Sequence, residues 1–67
     1  MTEAQLGGYL KSLSPTELDN LKALVAMNSM ESLVVLQEQA VESGNVAAVQ
    51  YMEAACDLRR IADLPTS

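Results

Sequence analysis

Leu13-Ser14-Pro15-Thr16-Glu17-Leu18 is the stretch on which the fold turns. Ser14 is a preferred N-cap, Pro15 suits the first helical position, and Glu17 stands third, where its carboxylate reaches back to the Ser14 amide. Leu13 and Leu18 fall at the two ends of a hydrophobic staple. A helix starts at Pro15, and Leu18, Leu21, Leu24 and Val25 give it one apolar face.

Upstream, Thr2 and Gln5 have capping-box spacing, and Leu6, Tyr9, Leu10 and Leu13 recur at helical intervals. The spacing predicts a first helix over about 3–12. Gly7 and Gly8 lie inside it and cost roughly 1 kcal/mol each against Ala, so this helix is expected to be stable only when docked.

Downstream, Asn28-Ser29-Met30-Glu31 offers a second cap, with Asn28 and Glu31 spaced as a capping box. Two readings stand side by side: helices over about 15–27 and 30–43 with a break near Asn28-Ser29, or one long helix over 15–43. Leu33, Val34, Leu36, Ala40 and Val41 make a broad apolar surface, and Val35 falls close to the opposite, acidic side. A helix apolar over so much of its girth is expected to be buried on several sides. Ser43-Gly44 reads as a stop, with Gly44 suited to the left-handed conformation that ends helices. Asn45 then caps a last helix over about 46–63, whose Ala48, Tyr51, Ala55, Leu58 and Ala62 follow a 3-4-3-4 seam. The fold class is all-α: a small bundle of three to four helices with a helical hairpin around Gly44. Residues 1–67 read as one domain, with 64–67 expected to be a mobile tail.

The segment Ala40-Val41-Glu42-Ser43-Gly44-Asn45-Val46-Ala47-Ala48-Val49-Gln50-Tyr51-Met52 resembles the inter-helix turn and second helix of an ankyrin repeat. It is also similar to the Gly-Asn turn of a tetratricopeptide hairpin. The ankyrin opening Thr-Pro-Leu-His is missing upstream and no second copy occurs, whereas such repeats need about three units for stability. The resemblance implies a helix–turn–helix hairpin at Gly44 and carries no function with it.

Composition narrows the function classes. The 67 residues hold nine acids, four bases, one Cys, no His, no Trp and no Phe. One Cys cannot form an intramolecular disulfide, and a Cys/His zinc site is out of reach, so both usual staples of small proteins are missing. Ala23 to Leu58 contains no basic residue, which disfavours direct nucleic-acid or anionic-membrane binding. The opening Met1-Thr2-Glu3-Ala4-Gln5 carries an acid where a signal peptide would be basic, and no apolar run approaches membrane length. A cytoplasmic protein is the expectation.

The residues that bear chemistry are few. Without His, no Ser or Cys nucleophile has its usual base, and Cys56 is expected beside the apolar seam as a small hydrophobe, a reactive or intermolecular thiol being the other reading. Glu38 and Glu42 share a helical face, as do Glu53 and Asp57, and all four are read as solvated. Glu31, Glu38 and Glu42 stack into an acidic stripe about 16 Å long at 1.5 Å per residue. The stripe is either plain solvated surface, or a surface that docks a basic protein groove or imitates nucleic-acid phosphates. Met27, Met30 and Met52 are read as core filling or as an adaptable surface. Arg59 falls inside the apolar arc, as a snorkelling side chain or an interface anchor, while Arg60 faces Asp57 at i, i+3.

No catalytic, cofactor-binding or metal residues are assigned, and no cofactor or small-molecule substrate is expected. The expected function is a non-enzymatic, acidic α-helical interaction module that self-associates, as a homo-oligomer, or docks on a larger protein. Its expected interface is Leu33, Leu36, Ala48, Tyr51, Met52, Ala55, Leu58 and Arg59. The alternative is a small phage-type inhibitor that blocks a nucleic-acid-handling or defence enzyme through the acidic surface of Glu31, Glu38 and Glu42.

Overall fold

Four α-helices follow one another in the computed structural model, which describes residues 1–65: α1 (Glu3–Ser12), α2 (Pro15–Met27), α3 (Met30–Ser43) and α4 (Val46–Ala62). No strand occurs among the described residues. The expected tail at 64–67 lies outside them from Thr66 onward, and α4 ends one residue short of the expected boundary.

Each helix start is fixed by a side chain. The Gln5 amide donates to Thr2 Oγ1 at 3.1 Å while the Thr2 amide donates to Gln5 Oε1 at 2.9 Å. Ser14 and Glu17 make the same reciprocal pair at 3.2 Å in both directions. These boxes satisfy amides that a helix N-terminus otherwise leaves without partners.

The chain breaks between α2 and α3, but not with the caps expected there. Ser29, not Asn28, is the N-cap of α3 and accepts from the Ser32 amide at 3.3 Å. Asn28 instead turns back and donates its Nδ2 to the Leu24 carbonyl at 2.9 Å, closing α2. An Asn can satisfy either an orphan amide ahead or an orphan carbonyl behind, and with Ser29 beside it the labour divides. Glu31 is thereby one residue too early to complete a box. At the next turn Gly44 adopts φ +72°, and its amide donates to the Val41 carbonyl at 3.1 Å. Asn45 accepts from the Ala48 amide at 3.1 Å, as expected.

α4 is the hub. It packs most extensively against α3, then α2, and least against α1, and it takes part in every substantial inter-helix contact. Its burial accordingly runs round much of its girth: Ala54 and Ala55 are fully enclosed and Met52 nearly so. The small residues let neighbouring helices approach closely. Leu21 of α2 and Leu33 of α3 are the large side chains fully enclosed among the described residues. The core is lean, and half-buried Tyr9, Leu10, Leu24, Leu36, Tyr51 and Leu58 pack around it.

Within the single chain α3 buries only Leu33 and Ala40, so the expected burial on several sides would need an associating partner. α4 holds the central place, so α3 is peripheral and covers one face only. Ala62, expected on the buried seam, is exposed in the last turn of α4.

Candidate interaction surface

The inward side of α3 carries Leu33 and Ala40; the outward side is built from residues roughly 80–180° round the helix from them. At about 100° per residue, Glu31, Val35, Glu38 and Glu42 fall within an arc of roughly 60°, and Val34 with Val41 widens it to roughly 120°. All six are exposed. Val34 is 40%, Val35 50% and Val41 58% exposed, values that place branched aliphatic side chains in water without a covering element. Among the described residues none of the three glutamates forms an ion pair. Two shallow depressions flank this face, one lined by Gln37, Glu38, Val41 and Glu42, the other by Asn28, Glu31, Ser32, Val35 and Leu36.

The sequence-derived interface divides. Leu33, Met52 and Ala55 are core residues that a partner cannot reach in the folded chain, because α3 and α4 bury them against each other and against the rest of the bundle. Leu36, Ala48, Tyr51 and Leu58 are half-buried, packed against that core. Only Glu31, Glu38 and Glu42 stand where they were expected. Val34 and Val41 were read into the broad apolar surface and Val35 beside the acidic side, but none of the three stands among the expected interface residues. On the helical wheel Val35 falls nearly opposite Leu33 and Ala40, while Val34 and Val41 lie roughly 80–120° from them, beside the apolar face and not in it.

Arg59 is neither a free interface anchor nor a plain snorkelling side chain. Its Nη1 donates to the Val25 carbonyl in the last turn of α2 at 3.2 Å, and its Nε donates to Asp63 Oδ2 at 3.2 Å. α2 has no basic residue in its own last turn, so a guanidinium from α4 supplies the positive charge that a helix C-terminus favours.

Asp57 departs most from its expected solvated position. It is 9% exposed, with Oδ1 accepting from Arg60 Nη2 at 3.0 Å and Oδ2 lying 3.1 Å from the Met1 ammonium. The ammonium forms an ion pair there while lying off-line for a hydrogen bond, and Oδ2 has no other polar partner. The Arg60 pairing was legible as an i, i+3 contact; the ammonium, 56 residues away in sequence, was not.

Cys56 is half-buried, and its thiol donates to Gln37 Oε1 at 3.4 Å. Burial first, then the negative charges of Asp57 and Glu53, push its pKa above the ordinary thiol value. A thiol held protonated is a poor nucleophile. Tyr9 and Tyr51 are also raised, both first by burial; Tyr51 and Glu17 add to the effect at Tyr9, and Glu17 adds to it at Tyr51. The methionines scatter: Met52 is core, Met30 half-buried, and Met27 is 82% exposed.

Among the described residues no group of three His, Cys, Asp or Glu is arranged to hold a metal ion, and no helix is long and apolar enough to cross a membrane. Comparison with protein-family models, curated proteins and solved structures finds nothing that matches this chain.

Proposed function

We propose that the protein is a non-enzymatic α-helical interaction module of the cytoplasm, working by association through the outward face of α3. The observation that carries this reading is the exposure of Val34, Val35 and Val41 on a peripheral helix whose other side already closes the core. Single exposed aliphatics are ordinary, but three on one face over two helical turns form a patch of the kind that marks interaction sites. The accessible surface of 4638 Å² for 7.2 kDa also exceeds the roughly 4,100 Å² expected of a compact monomer, which fits a chain that completes its burial against something else. The test is affinity capture from native-host lysate, alongside concentration-dependent mass measurement in solution. Recovery of the chain itself or of one stoichiometric protein, lost in Val34→Ser/Val41→Ser, supports the reading. A monomer at all concentrations that captures nothing overturns it.

A second reading is favoured by the unpaired carboxylates of Glu31, Glu38 and Glu42: an inhibitor that presses its acidic surface on a nucleic-acid-handling or defence enzyme. Recovery of such an enzyme, and loss of binding on charge reversal of the three glutamates, selects it.

A further inference from the structure

We infer that the outward face of α3 is a docking site for a basic amphipathic helix of another protein. This rests on the interaction reading above and names the partner's chemistry. The face has two components that must be matched together. Val34 and Val41, one heptad apart, run along one flank, and Val35 stands alone on the other. Glu31, Glu38 and Glu42 run between them at intervals of about 10.5 and 6 Å along the axis. Burying three carboxylates beside valines without compensation is unfavourable, so the occupant must also carry cations.

Charge rules out the other occupants. A second copy docked by two-fold symmetry would set the glutamates of both chains against each other. No Lys or Arg occurs between Ala23 and Leu58 to offset them. Nucleic acid and anionic lipid carry the wrong sign. A helix is the shape that fits: an i, i+7 pair of apolar residues lies along Val34 and Val41 at the same pitch, and Lys or Arg beside it faces the acidic stripe.

The experiment uses the intact chain and a synthetic helix of roughly 18 residues, about five turns, with Leu at the two heptad core positions and Lys elsewhere. A scrambled peptide of the same composition and a Glu-for-Lys version serve as controls. Binding is followed by calorimetry and by amide chemical shifts. The expected result is that the Lys helix binds while both controls do not, with shifts confined to α3 between Glu31 and Glu42. Val34→Ser/Val41→Ser should weaken binding about tenfold or more without altering the melting temperature. Glu31→Lys/Glu38→Lys/Glu42→Lys should exchange preference, taking the Glu helix in place of the Lys helix. Equal binding of the scrambled peptide, shifts elsewhere, or indifference to the valine substitutions overturns the inference. If the Glu helix binds the native chain, or the chain dimerises through this face, the inference falls while the interaction reading stands. If no peptide binds, the inference falls, and the interaction reading falls with it where the chain also stays monomeric and captures no protein.

Discussion

The guanidinium of Arg59 donates to the carbonyl of Val25, joining the end of α4 to the end of α2 across 34 residues of chain. With Asn28 on Leu24, this contact fills carbonyls that the last turn of α2 leaves open. Arg59→Met keeps much of the apolar stem and removes the donor. It should lower unfolding free energy by about 1–2 kcal/mol in a urea titration. Asp63→Asn, which removes only a largely exposed ion pair, should change it by less than about 0.5 kcal/mol. Equal effects would mean that the contact with Asp63, not the helix end, is what Arg59 serves.

The glycines of α1 should behave oppositely to that of the hairpin. A methyl group at Gly7 or Gly8 would meet no atom within 4 Å, and neither position has positive φ. Gly7→Ala and Gly8→Ala should therefore each stabilise by up to about 1 kcal/mol, read as a rise in melting temperature. Gly44→Ala, at φ +72°, should destabilise by roughly 1–2 kcal/mol.

Two positions one residue apart should separate core from face. Leu33→Ala opens a cavity at a fully enclosed site and should cost about 2–5 kcal/mol, enough to unfold much of a chain this small. Val34→Ala at an exposed site should cost less than about 0.5 kcal/mol by the same denaturation assay.

The raised groups predict alkaline weakening. Tyr9 and Tyr51 hold their protons more tightly in the folded chain than at the ordinary value of 10.0, so the folded state binds more protons than the unfolded one as pH climbs past 10. Their contribution is complete below that pH and is lost as pH rises through the folded values. Stability should fall in this window, and tyrosinate absorbance should rise later for the folded than for the urea-unfolded chain. Cys56 behaves alike from its ordinary 9.0, so a thiol-specific reagent at mildly alkaline pH should react more slowly with the folded chain.

What the sequence made legible was local. Thr2, Ser14, Gly44 and Asn45 act within three or four residues of their partners, so the helix boundaries followed from spacing alone. The break at Asn28–Ser29 fell where the two-helix reading put it, but its cap was misassigned by one residue because two capping residues stand side by side with two helix ends to serve. The centre of the bundle was not legible. Both α3 and α4 have broad apolar girths, and only tertiary packing decides which becomes the hub. From the central place of α4 follow the exposed valines of α3 and the burial of Asp57. The acidic stripe was readable because its glutamates share a helix, whereas Arg59 on Val25 and Met1 on Asp57 join residues far apart in the chain.

With Leu21 and Leu33 the large side chains fully enclosed among the described residues, the bundle has a thermal consequence. Little apolar surface meets water on unfolding, and a chain of this length releases a heat-capacity increment of only about 0.8–1.0 kcal/mol/K. Its free-energy curve against temperature should be low and nearly flat, and its calorimetric peak broad. A ligand that covers the outward valines would raise that peak and sharpen it together.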